Sequence, residues 1–400
     1  MTQRLCSQLT SSVKHCIHCF LAFCCGATAA NIYYAQPILG LIAPDLEMGN
    51  YSSIVVSLTQ LGFSIGLLFL VPLADIIENR RLIIIITALN VTGLILAGIS
   101  KPGQTSLFLS ASVIIGFSSV VVQILIPMAT HLTPEHQRGR VVGNIMSGLL
   151  VGILLSRPLS SFITDNFNWR SVFLMAATLM SAIVLLLFLL LPSRRPAQST
   201  KYTTLLYSMP SLLLRYSVLR RRALYQGLLF ASFSLYWSAV PLVLTREFGL
   251  TQSQVGIFAL IGAIGAVAAP IAGRLADAGH SYAASLLALV IAPLALVSGL
   301  LPVGSSLLGL ALTGVLLDFA VQMNMIVSQR EVYILSAENR GRLNALYMTS
   351  LFLGGAAGSA IASNLYLKYG WHGVILAAVC LPTLALILFL SERFRSNTRE

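Results

Sequence analysis

Two charged residues lie inside long apolar stretches of the sequence, where a charge needs a partner or a function. Asp318 falls near the middle of the apolar run 305–329, and Arg157 falls inside the run 138–163. An ionised side chain at the centre of a bilayer costs at least about 2.5–3.5 kcal/mol on insertion scales, so such residues face a cavity or another polar group. We therefore expect Asp318 to bind a proton or a substrate cation. We expect Arg157 to be its counter-charge or an anion contact, and a structural network between helices is the alternative for both.

Polar and aromatic side chains also interrupt the first apolar run, 17–41, and the run 223–245. Asn31, Tyr34 and Gln36 are polar in a stretch that lipid would otherwise surround, and Tyr236 and Trp237 follow in the later run. Aromatic rings with few formal charges suit an amphipathic or weakly cationic organic compound, through stacking and cation–π contacts. Anchoring at the membrane interface is the alternative for tyrosine and tryptophan.

The elements that carry these residues are predicted to be membrane-spanning helices. Apolar residues make up 56% of the 400 residues and charged residues only 10%, whereas a soluble domain carries about 25% charged residues. A helix needs about 20 apolar residues to cross the hydrocarbon core. Twelve runs meet this length: 17–41, 53–77, 81–100, 105–130, 138–163, 170–192, 223–245, 252–277, 281–301, 305–329, 341–366 and 371–391. The fold class predicted is an all-α integral membrane protein.

The break at 193–222 divides the runs into two groups of six. It contains seven basic residues and no acid. We interpret it as a linker between a first bundle, 1–192, and a second bundle, 223–400. Loops on the side of this linker also hold most of the other arginines, whereas the opposite loops hold only Lys101, Arg170, Arg246 and Lys368. Because cytoplasmic loops are enriched in basic residues, both termini and the linker are expected in the cytoplasm, with a bacterial inner membrane as the expected location.

The two groups of six are related by an internal repeat with an offset of 202 residues. Several uncommon residues recur at this one spacing, which predicts two similar bundles arranged as a parallel repeat, a transporter architecture. The matched pairs are Leu73-Ala74-Asp75 with Leu275-Ala276-Asp277, Arg138-Gly139-Arg140 with Arg340-Gly341-Arg342, Trp169 with Trp371, Met146 with Met348, and Gly152 with Gly354.

These motifs resemble the major facilitator superfamily over the whole chain. The segment Leu73–Arg81 is similar to the family's loop signature after the second helix, although Val71, Ile76 and Glu78 depart from it, and Gly273–Asp277 is a second, shortened copy. The resemblance implies twelve helices in two six-helix bundles, with helices 1, 4, 7 and 10 lining a cavity. On those helices the candidate substrate residues are Tyr34, Gln123, Tyr236, Trp237, Gln322 and Asn324, together with Asn31 and Gln36.

The same loops are expected to form a gate on the linker side. A carboxylate is stabilised at a helix N-terminus and by arginine, so Asp75 is expected at Arg340 and Arg342, and Asp277 at Arg138 and Arg140. Such clasps form when that side is shut and break when it opens. Arg80 and Arg81 belong to the same predicted gate. Solvated loop charges of little energetic value are the alternative.

The function expected is secondary active transport of a small organic solute by alternating access, with proton-coupled efflux of the drug–proton antiporter type as the first form. The Gly-rich run Gly148–Gly152 before Arg157-Pro158 is similar to that subfamily's fifth helix, without its Gly-Pro core. A facilitator or importer of sugars or amino acids is the near alternative. A non-transporting receptor, a membrane-embedded enzyme, an inactive transporter and a channel are more distant.

The sequence gives no sign of catalysis, cofactor or metal. No phosphate-binding loop is present. The cysteines near the N-terminus, close to His15 and His18, fit no closed zinc pattern; they are Cys6, Cys16, Cys19, Cys24 and Cys25, and Cys380 is remote. The partners expected are the lipid bilayer, a small-molecule substrate and protons, without nucleic acid, for a monomer that keeps its first span.

We predict that both ends of the chain are exposed on the same, cytoplasmic face. Single cysteines placed before the first span and after the last should react with a membrane-impermeant maleimide only after the membrane is opened. A cysteine in the loop at Lys101 is the control and should react in intact cells. Termini that are labelled from opposite faces would contradict the twelve-span topology.

Overall fold

The structure, a computed structural model, describes residues 18–131, 133–134, 137–196, 201–301, 304, 306–336 and 338–397. Within these ranges the chain forms helices and their connections, with no β-strand. His15, Cys6 and Cys16 lie outside the described residues. The all-helical fold predicted from the apolar run lengths is confirmed.

The first half of the molecule contains eight α-helices. Short 3-10 segments at Gln36–Ile38, Val71–Asp75 and Ser119–Val121 complete three of its six spans. The helices are α1 His18–Ala30, α2 Leu39–Asp45, α3 Ile54–Phe69, α4 Asn79–Ile99, α5 Thr105–Ser118, α6 Val122–His131, α7 Arg138–Asn166 and α8 Trp169–Leu190.

The linker and the second half contain seven more helices. A 3-10 segment, Gly262–Val267, joins two of them within one span. They are α9 Tyr202–Arg215, α10 Ser217–Arg246, α11 Gln252–Ile261, α12 Ala268–Asp277, α13 Ser281–Ser298, α14 Leu307–Ile334 and α15 Arg340–Asn397. We call the end of the bundle that carries α9 the linker side, and the other end the opposite side.

These helices give the predicted twelve passes. Nine helical segments in the described ranges are long and apolar enough to cross a membrane. The last of them, Arg340–Glu392, contains two passes, because Gly370 adopts φ +64° and breaks the helix there. The remaining two passes begin with the shorter apolar helices α1 and α11 and are completed by α2 and α12.

Two predicted boundaries are corrected by the structure. The first span is not one helix over 17–41: α1 ends at Ala30, and residues 31–38 continue as turns and a 3-10 segment. Pro37 explains this, because its ring clashes with the carbonyl group four residues earlier and it lacks an N–H donor. The seventh span starts at Ser217 rather than 223, so that three arginines of the predicted loop lie in its first turns.

The linker contains the amphipathic helix α9, which contacts both halves. Leu205, Met209 and Leu212 are its buried residues, and two of them pack in a cluster with α10 and α15. Its Tyr202 hydroxyl group donates a hydrogen bond to the carbonyl oxygen of Phe69 in α3, at 2.8 Å. The predicted loop of 193–222 is therefore largely helical.

Each half has its own apolar core, and close glycine contacts repeat in both. In the first half, Gly148 and Gly152 of α7 pack against the backbone of Ala22 and Gly26 in α1. In the second half, Gly354 and Gly358 of α15 pack in the same way against Gly227 and Ala231 of α10. A side chain at these positions would collide with backbone, so the small residues allow the helices to cross closely. Of these glycines, Gly152 and Gly354 are 202 residues apart, so they occupy equivalent positions in a repeated helix crossing.

We predict that Gly152→Ala destabilises the protein, whereas Gly143→Ala on the same helix does not. A Cβ atom at Gly152 would meet the backbone of Gly26, but a Cβ atom at Gly143 would meet nothing within 4 Å. Overpacking of this kind costs about 1–3 kcal/mol, and alanine in an open helical position gains up to about 1 kcal/mol. Thermal unfolding in detergent should show a lower midpoint for Gly152→Ala only; equal midpoints would contradict the close crossing.

Candidate functional site

The two charges singled out in the sequence come together across the interface between the halves. Arg157 lies nine residues before the end of α7, and Asp318 lies eleven residues after the start of α14, both counted from the opposite side. Arg157 is 8% exposed and Asp318 is 9% exposed. Trp237 of α10 contacts both residues. The three side chains form a buried cluster, to which the first half supplies the arginine and the second half supplies the tryptophan and the aspartate.

Trp237 joins the two charges by two different interactions. Its indole Nε1–H donates a hydrogen bond to Oδ1 of Asp318, at 2.7 Å. Its ring lies under the Arg157 guanidinium, with 4.8 Å between the guanidinium carbon and the ring centroid. A cation over an indole face is attracted by the ring quadrupole, more strongly where water is excluded. The tryptophan therefore stabilises the anion at its edge and the cation at its face.

Side chains of the first half orient Arg157. Its Nε donates a hydrogen bond to Oε1 of Gln36, at 3.0 Å. The guanidinium also lies 5.5 Å from the ring centroid of Tyr33. Gln36 is positioned by the 3-10 segment after α1, so the interruption caused by Pro37 brings this amide to the arginine.

Asp318 is enclosed by glycines of the segment that joins α11 to α12. A Cβ atom on Gly262 would lie 2.8 Å from Oδ2 of Asp318 and 2.6 Å from the Trp237 ring. A Cβ atom on Gly265 would collide with the Asp318 side chain itself. Only glycine at positions 262 and 265 leaves room for the Asp318 carboxyl group and the Trp237 indole, so the segment between α11 and α12 packs closely against these two side chains.

A small cleft lies beside Arg157. Its volume is ≈ 10 Å³, which is room for roughly one water molecule. Arg157 and Gln36 are its polar side chains, and the rest of the wall is apolar or aromatic: Pro37, Trp237, Val240, Pro241, Leu244, Val255, Phe258 and Ala259. Asp318 does not line the cleft, because it lies at the edge of Trp237.

Two of the predicted polar residues belong to separate amide networks. In the first half, Asn31 donates to Oδ1 of Asn90 at 2.8 Å, and Asn90 donates to Ser118 at 2.9 Å. In the second half, Asn324 donates to Oε1 of Gln226, at 2.7 Å. Both asparagines are buried. They join segments within one half.

The other predicted substrate residues are spread around the molecule. Tyr34 is buried in the apolar core of the first half. Tyr236 donates a hydrogen bond to the carbonyl oxygen of Leu310 and packs against Trp371, with ring centroids 5.6 Å apart. Gln123 and Gln322 are half-buried on α6 and α14. The structure therefore brings together Gln36, Arg157, Trp237 and Asp318. Tyr236 borders this cluster, with its ring edge-on to Trp237 and 5.6 Å between the centroids, and the rest lie outside it.

Hydrogen bonds between the halves join them from the middle of the bundle to the opposite side. Ser53 and Ser363 exchange hydrogen bonds at 2.9–3.2 Å, and the Ser57 hydroxyl group donates to the carbonyl oxygen of Ala356 at 2.7 Å. Gln60 donates to Ser234 at 2.8 Å. Two further bonds at the same side join Gln252 to Pro37 and Ser253 to Asp165. The described conformation is closed toward the opposite side.

The predicted gate residues on the linker side are partly brought together. Asp75 interacts electrostatically with Arg342 and Arg194. Asp277, however, pairs with Arg330 of its own half, with 3.4 Å between Oδ1 and Nε, instead of with Arg138 and Arg140.

Most of the predicted gate arginines bind within their own half or to the linker. The Arg342 guanidinium donates a hydrogen bond to Ser208 of α9, at 2.7 Å. Arg80 donates to the carbonyl oxygen of Phe188, Arg81 pairs with Glu78 at 2.9 Å, and Arg340 donates to the carbonyl oxygen of Tyr333 at 3.3 Å. Arg138 donates to the carbonyl oxygen of Thr133 at 3.4 Å, and Arg140 is exposed. The second clasp is thus not formed in this conformation.

The sequence reasoning missed several residues of the interface. Tyr33, not Tyr34, faces Arg157. Gln60 and Ser234 carry the central hydrogen bond between the halves, and Asn90 is the centre of the first amide network. Gln60 and Asn90 were visible as amides inside apolar runs, by the same signal that selected Asn31 and Gln36. The orientation of neighbouring tyrosines depends on the turns that follow α1.

Comparisons with known proteins agree with this architecture. The sequence model of the Major Facilitator Superfamily matches residues 19–329 and, in a second match, residues 222–400. The uncharacterized transporter YgaY of Escherichia coli O157:H7 is 38% identical over 369 residues, which cover 91% of this chain and 92% of YgaY.

Two crystal structures are similar in fold. The human organic anion transporter MFSD10 aligns with a TM-score of 0.65 at 20% identity, over 93% of this chain and 98% of MFSD10. A point mutant of the nucleoside transporter NupG aligns with a TM-score of 0.71 at 15% identity, over 95% of this chain and 98% of NupG.

We predict that the buried charges stabilise each other, so that removing both costs less than the sum of the single losses. Arg157→Gln and Asp318→Asn should each lower the midpoint of thermal unfolding, because each leaves a buried charge without its counter-charge. The double variant should recover part of the loss, with a coupling free energy of about 0.5–3 kcal/mol.

The control replaces Arg157→Gln by Arg170→Gln, because Arg170 pairs with Asp45 in the first half, at 2.6 Å. Arg170→Gln combined with Asp318→Asn should be additive. Additivity in the Arg157 cycle as well would mean that Trp237 does not couple the two charges.

Proposed function

Because the chain belongs to the major facilitator superfamily, we propose that it moves a small organic solute across the membrane by alternating access and couples this movement to protons at Asp318. The observation that carries the proposal is the Arg157–Trp237–Asp318 cluster. It lies in the interior of the bundle, contains a titratable group, and takes its members from both halves.

Alternating access requires contacts that break when one side opens. The hydrogen bonds at Ser53–Ser363, Ser57 and Gln60 hold the opposite side closed in the described conformation. These are single hydroxyl and amide bonds, each of which contributes about 0.5–1.5 kcal/mol net. A rocking movement of the halves can replace them with bonds to water. The Arg157–Trp237 contact crosses the same interface, so the opening of the opposite side changes the environment of Asp318.

Asp318 is the group best placed to carry the proton. It is the buried acid among the acids that the structure describes, and a carboxyl group inside a transporter bundle is a functional residue by default. The ionised carboxylate balances the positive charge of the Arg157 guanidinium, and the neutral carboxyl group does not. Protonation therefore changes the interaction between the two halves.

The proposed orientation places the linker side in the cytoplasm of a bacterial cell, as the distribution of basic residues favours. With this orientation the described conformation is closed toward the outside. The exposed clasp residues Asp277 and Arg140 then belong to the cytoplasmic gate, which we propose closes when Asp277 changes its partner from Arg330 to the arginines of α7. A monomer in a lipid bilayer is sufficient for this cycle, because one chain contains both halves.

Two directions of coupling remain as candidate functions. Efflux in exchange for protons is the form that the resemblance to drug–proton antiporters favours, and it requires the substrate and the proton to compete for Asp318. Uptake together with protons is the second candidate. It is favoured by one observation, namely that Arg157, rather than Asp318, lines the cleft.

We predict that Asp318→Asn abolishes proton coupling while the protein stays folded. Purified protein is reconstituted in vesicles that contain a pH-sensitive dye, and a panel of small organic compounds is added under an imposed pH gradient. The wild type should give a proton flux that depends on one or more compounds, and Asp318→Asn should lose this flux. Glu47→Gln, at an exposed acid on the opposite side, is the control and should match the wild type.

Each other outcome has a defined meaning. A compound-dependent proton flux that survives Asp318→Asn would refute the role of this residue. Transport of a compound without any proton movement would refute proton coupling and identify the protein as a facilitator. The sign of the proton flux relative to the compound gradient distinguishes exchange from co-transport.

A further inference from the structure

We propose that Arg157 binds the anionic group of the substrate, so that the transported solutes are organic anions, such as carboxylates, with an apolar body that occupies the cleft between α7, α10 and α11. The inference rests on the proposed function, since it names the substrate class of the same site. It departs from the expectation of a weakly cationic substrate that the aromatic residues raised.

The first observation is that Arg157 is buried and has N–H donors without a hydrogen-bond acceptor. Only its Nε has a hydrogen-bond acceptor among the described residues, namely Gln36. Its two terminal nitrogens donate no hydrogen bond to a residue in the described part of the chain. An arginine carries five N–H donors in a planar fork. Burying a guanidinium whose terminal N–H donors have no acceptor costs free energy, and a ligand that supplies acceptor oxygens would remove this cost.

The second observation is that the fork belongs to the wall of the cleft. Arg157 is the one charged residue among those that line it, and the acid of the cluster is not part of that wall. A carboxylate that enters the cleft therefore meets a cation and no fixed anion. An ammonium group would meet the guanidinium first, and Trp237, whose indole N–H is bonded to Oδ1, separates it from Asp318.

The third observation is that the fork is held in place before a ligand binds. Gln36 accepts from Nε, and the Tyr33 and Trp237 rings lie 5.5 Å and 4.8 Å from the guanidinium carbon. Gln36 and Tyr33 belong to the same half as Arg157, so their contacts stay with the guanidinium when the halves move apart. Arginine binds carboxylates through two parallel N–H donors of its fork. Such positioning lowers the cost of ordering on binding.

The remaining wall fits an apolar body. Val240, Leu244, Val255 and Phe258 line it next to the arginine. In the described conformation the cleft has room for only about one water molecule, so we expect the substrate to bind when the halves have moved apart. The substrate class that fits this wall is therefore an organic anion with an apolar chain or ring adjacent to the acidic group.

Charge balance connects this substrate to the proton. Arg157 and ionised Asp318 are together neutral, so a bound anion leaves the site with one net negative charge. A net charge in a site that excludes water is energetically unfavourable. A proton on Asp318 restores neutrality. The anion and the proton are thus expected to bind together and move in the same direction, which selects the co-transport form of the proposed function.

The test compares probes that share one body and differ in the headgroup. Purified protein is titrated with phenylacetate, phenylacetamide and phenethylamine, and with straight-chain carboxylates of two to ten carbons, while thermal unfolding is followed. At least one carboxylate should raise the unfolding midpoint of the wild type, and the amide and the amine should not. Stabilisation by the amine, or by no carboxylate, would overturn the proposal.

Variants locate the effect at Arg157. Arg157→Gln should weaken binding of the stabilising carboxylate by about tenfold or more, because hydrogen bonds to charged groups are lost. Arg157→Lys should keep part of the affinity as a point charge without the fork. Because Arg157→Gln alone leaves Asp318 unbalanced, the neutral double variant with Asp318→Asn is measured beside it. Carboxylate affinity equal to that of the wild type in both glutamine variants would overturn the proposal.

Vesicle transport separates the failure of this inference from the failure of the proposed function. Entry of the stabilising carboxylate should carry protons in the same direction, and proton movement in the opposite direction would overturn the co-transport step. Proton flux coupled only to amines would leave proton-coupled transport standing and remove the anion site. Binding of a carboxylate at Arg157 without transport under any gradient would leave the anion site standing and refute the proposed transport function.

Discussion

The structure depends on how the protein keeps two opposite charges inside an apolar bundle. Neither Arg157 nor Asp318 can stay there alone, and they are not held by a simple ion pair. Trp237 stands between them, with its N–H at the carboxylate and its ring face at the guanidinium. Much of the surrounding structure serves this arrangement: Gly262 and Gly265 leave room for the carboxyl group, and the interruption after α1 supplies Gln36. Since the charges come from different halves, the cost of separating them is also a cost of moving the halves.

The fold could be predicted from the sequence because lipid imposes simple rules. Run length and composition predicted twelve helical passes, and the offset of 202 residues predicted the repeat that appears as matching glycine crossings. The breaks within spans were harder. Pro37 and Gly262–Val267 interrupt the first and eighth passes, and the sequence does not say whether a proline or a glycine run ends a helix, kinks it or tightens one turn. The amphipathic helix α9 was hidden because its 14 residues are fewer than the roughly 20 that a membrane span needs, and the basic residues around it indicated a loop.

The site was predictable in its charges and not in its contacts. Burial cost alone selected Arg157 and Asp318. Their approach across the interface follows from how the halves meet, and no local pattern specifies that meeting. The same limit applies to Tyr33 and Tyr34: the turns after α1 decide which of the two neighbouring rings faces the arginine, and it is Tyr33. A different limit applies on the linker side. The same sequence must encode the contacts of every state of a moving protein, whereas one conformation contains the contacts of one state, and in this one Asp277 pairs with Arg330.

The position of Trp237 also has an optical consequence. The chain has three tryptophans, and two of them, Trp169 and Trp371, occupy equivalent places at the start of the last pass of each half. Trp237 is therefore the single indole in the charged cluster, with a formal charge on its face and another at its nitrogen. Indole emission is sensitive to nearby charge and to hydration, so the protein contains a built-in spectroscopic probe at the place where the halves meet, and replacing the other two tryptophans with phenylalanine would isolate its signal without any added label.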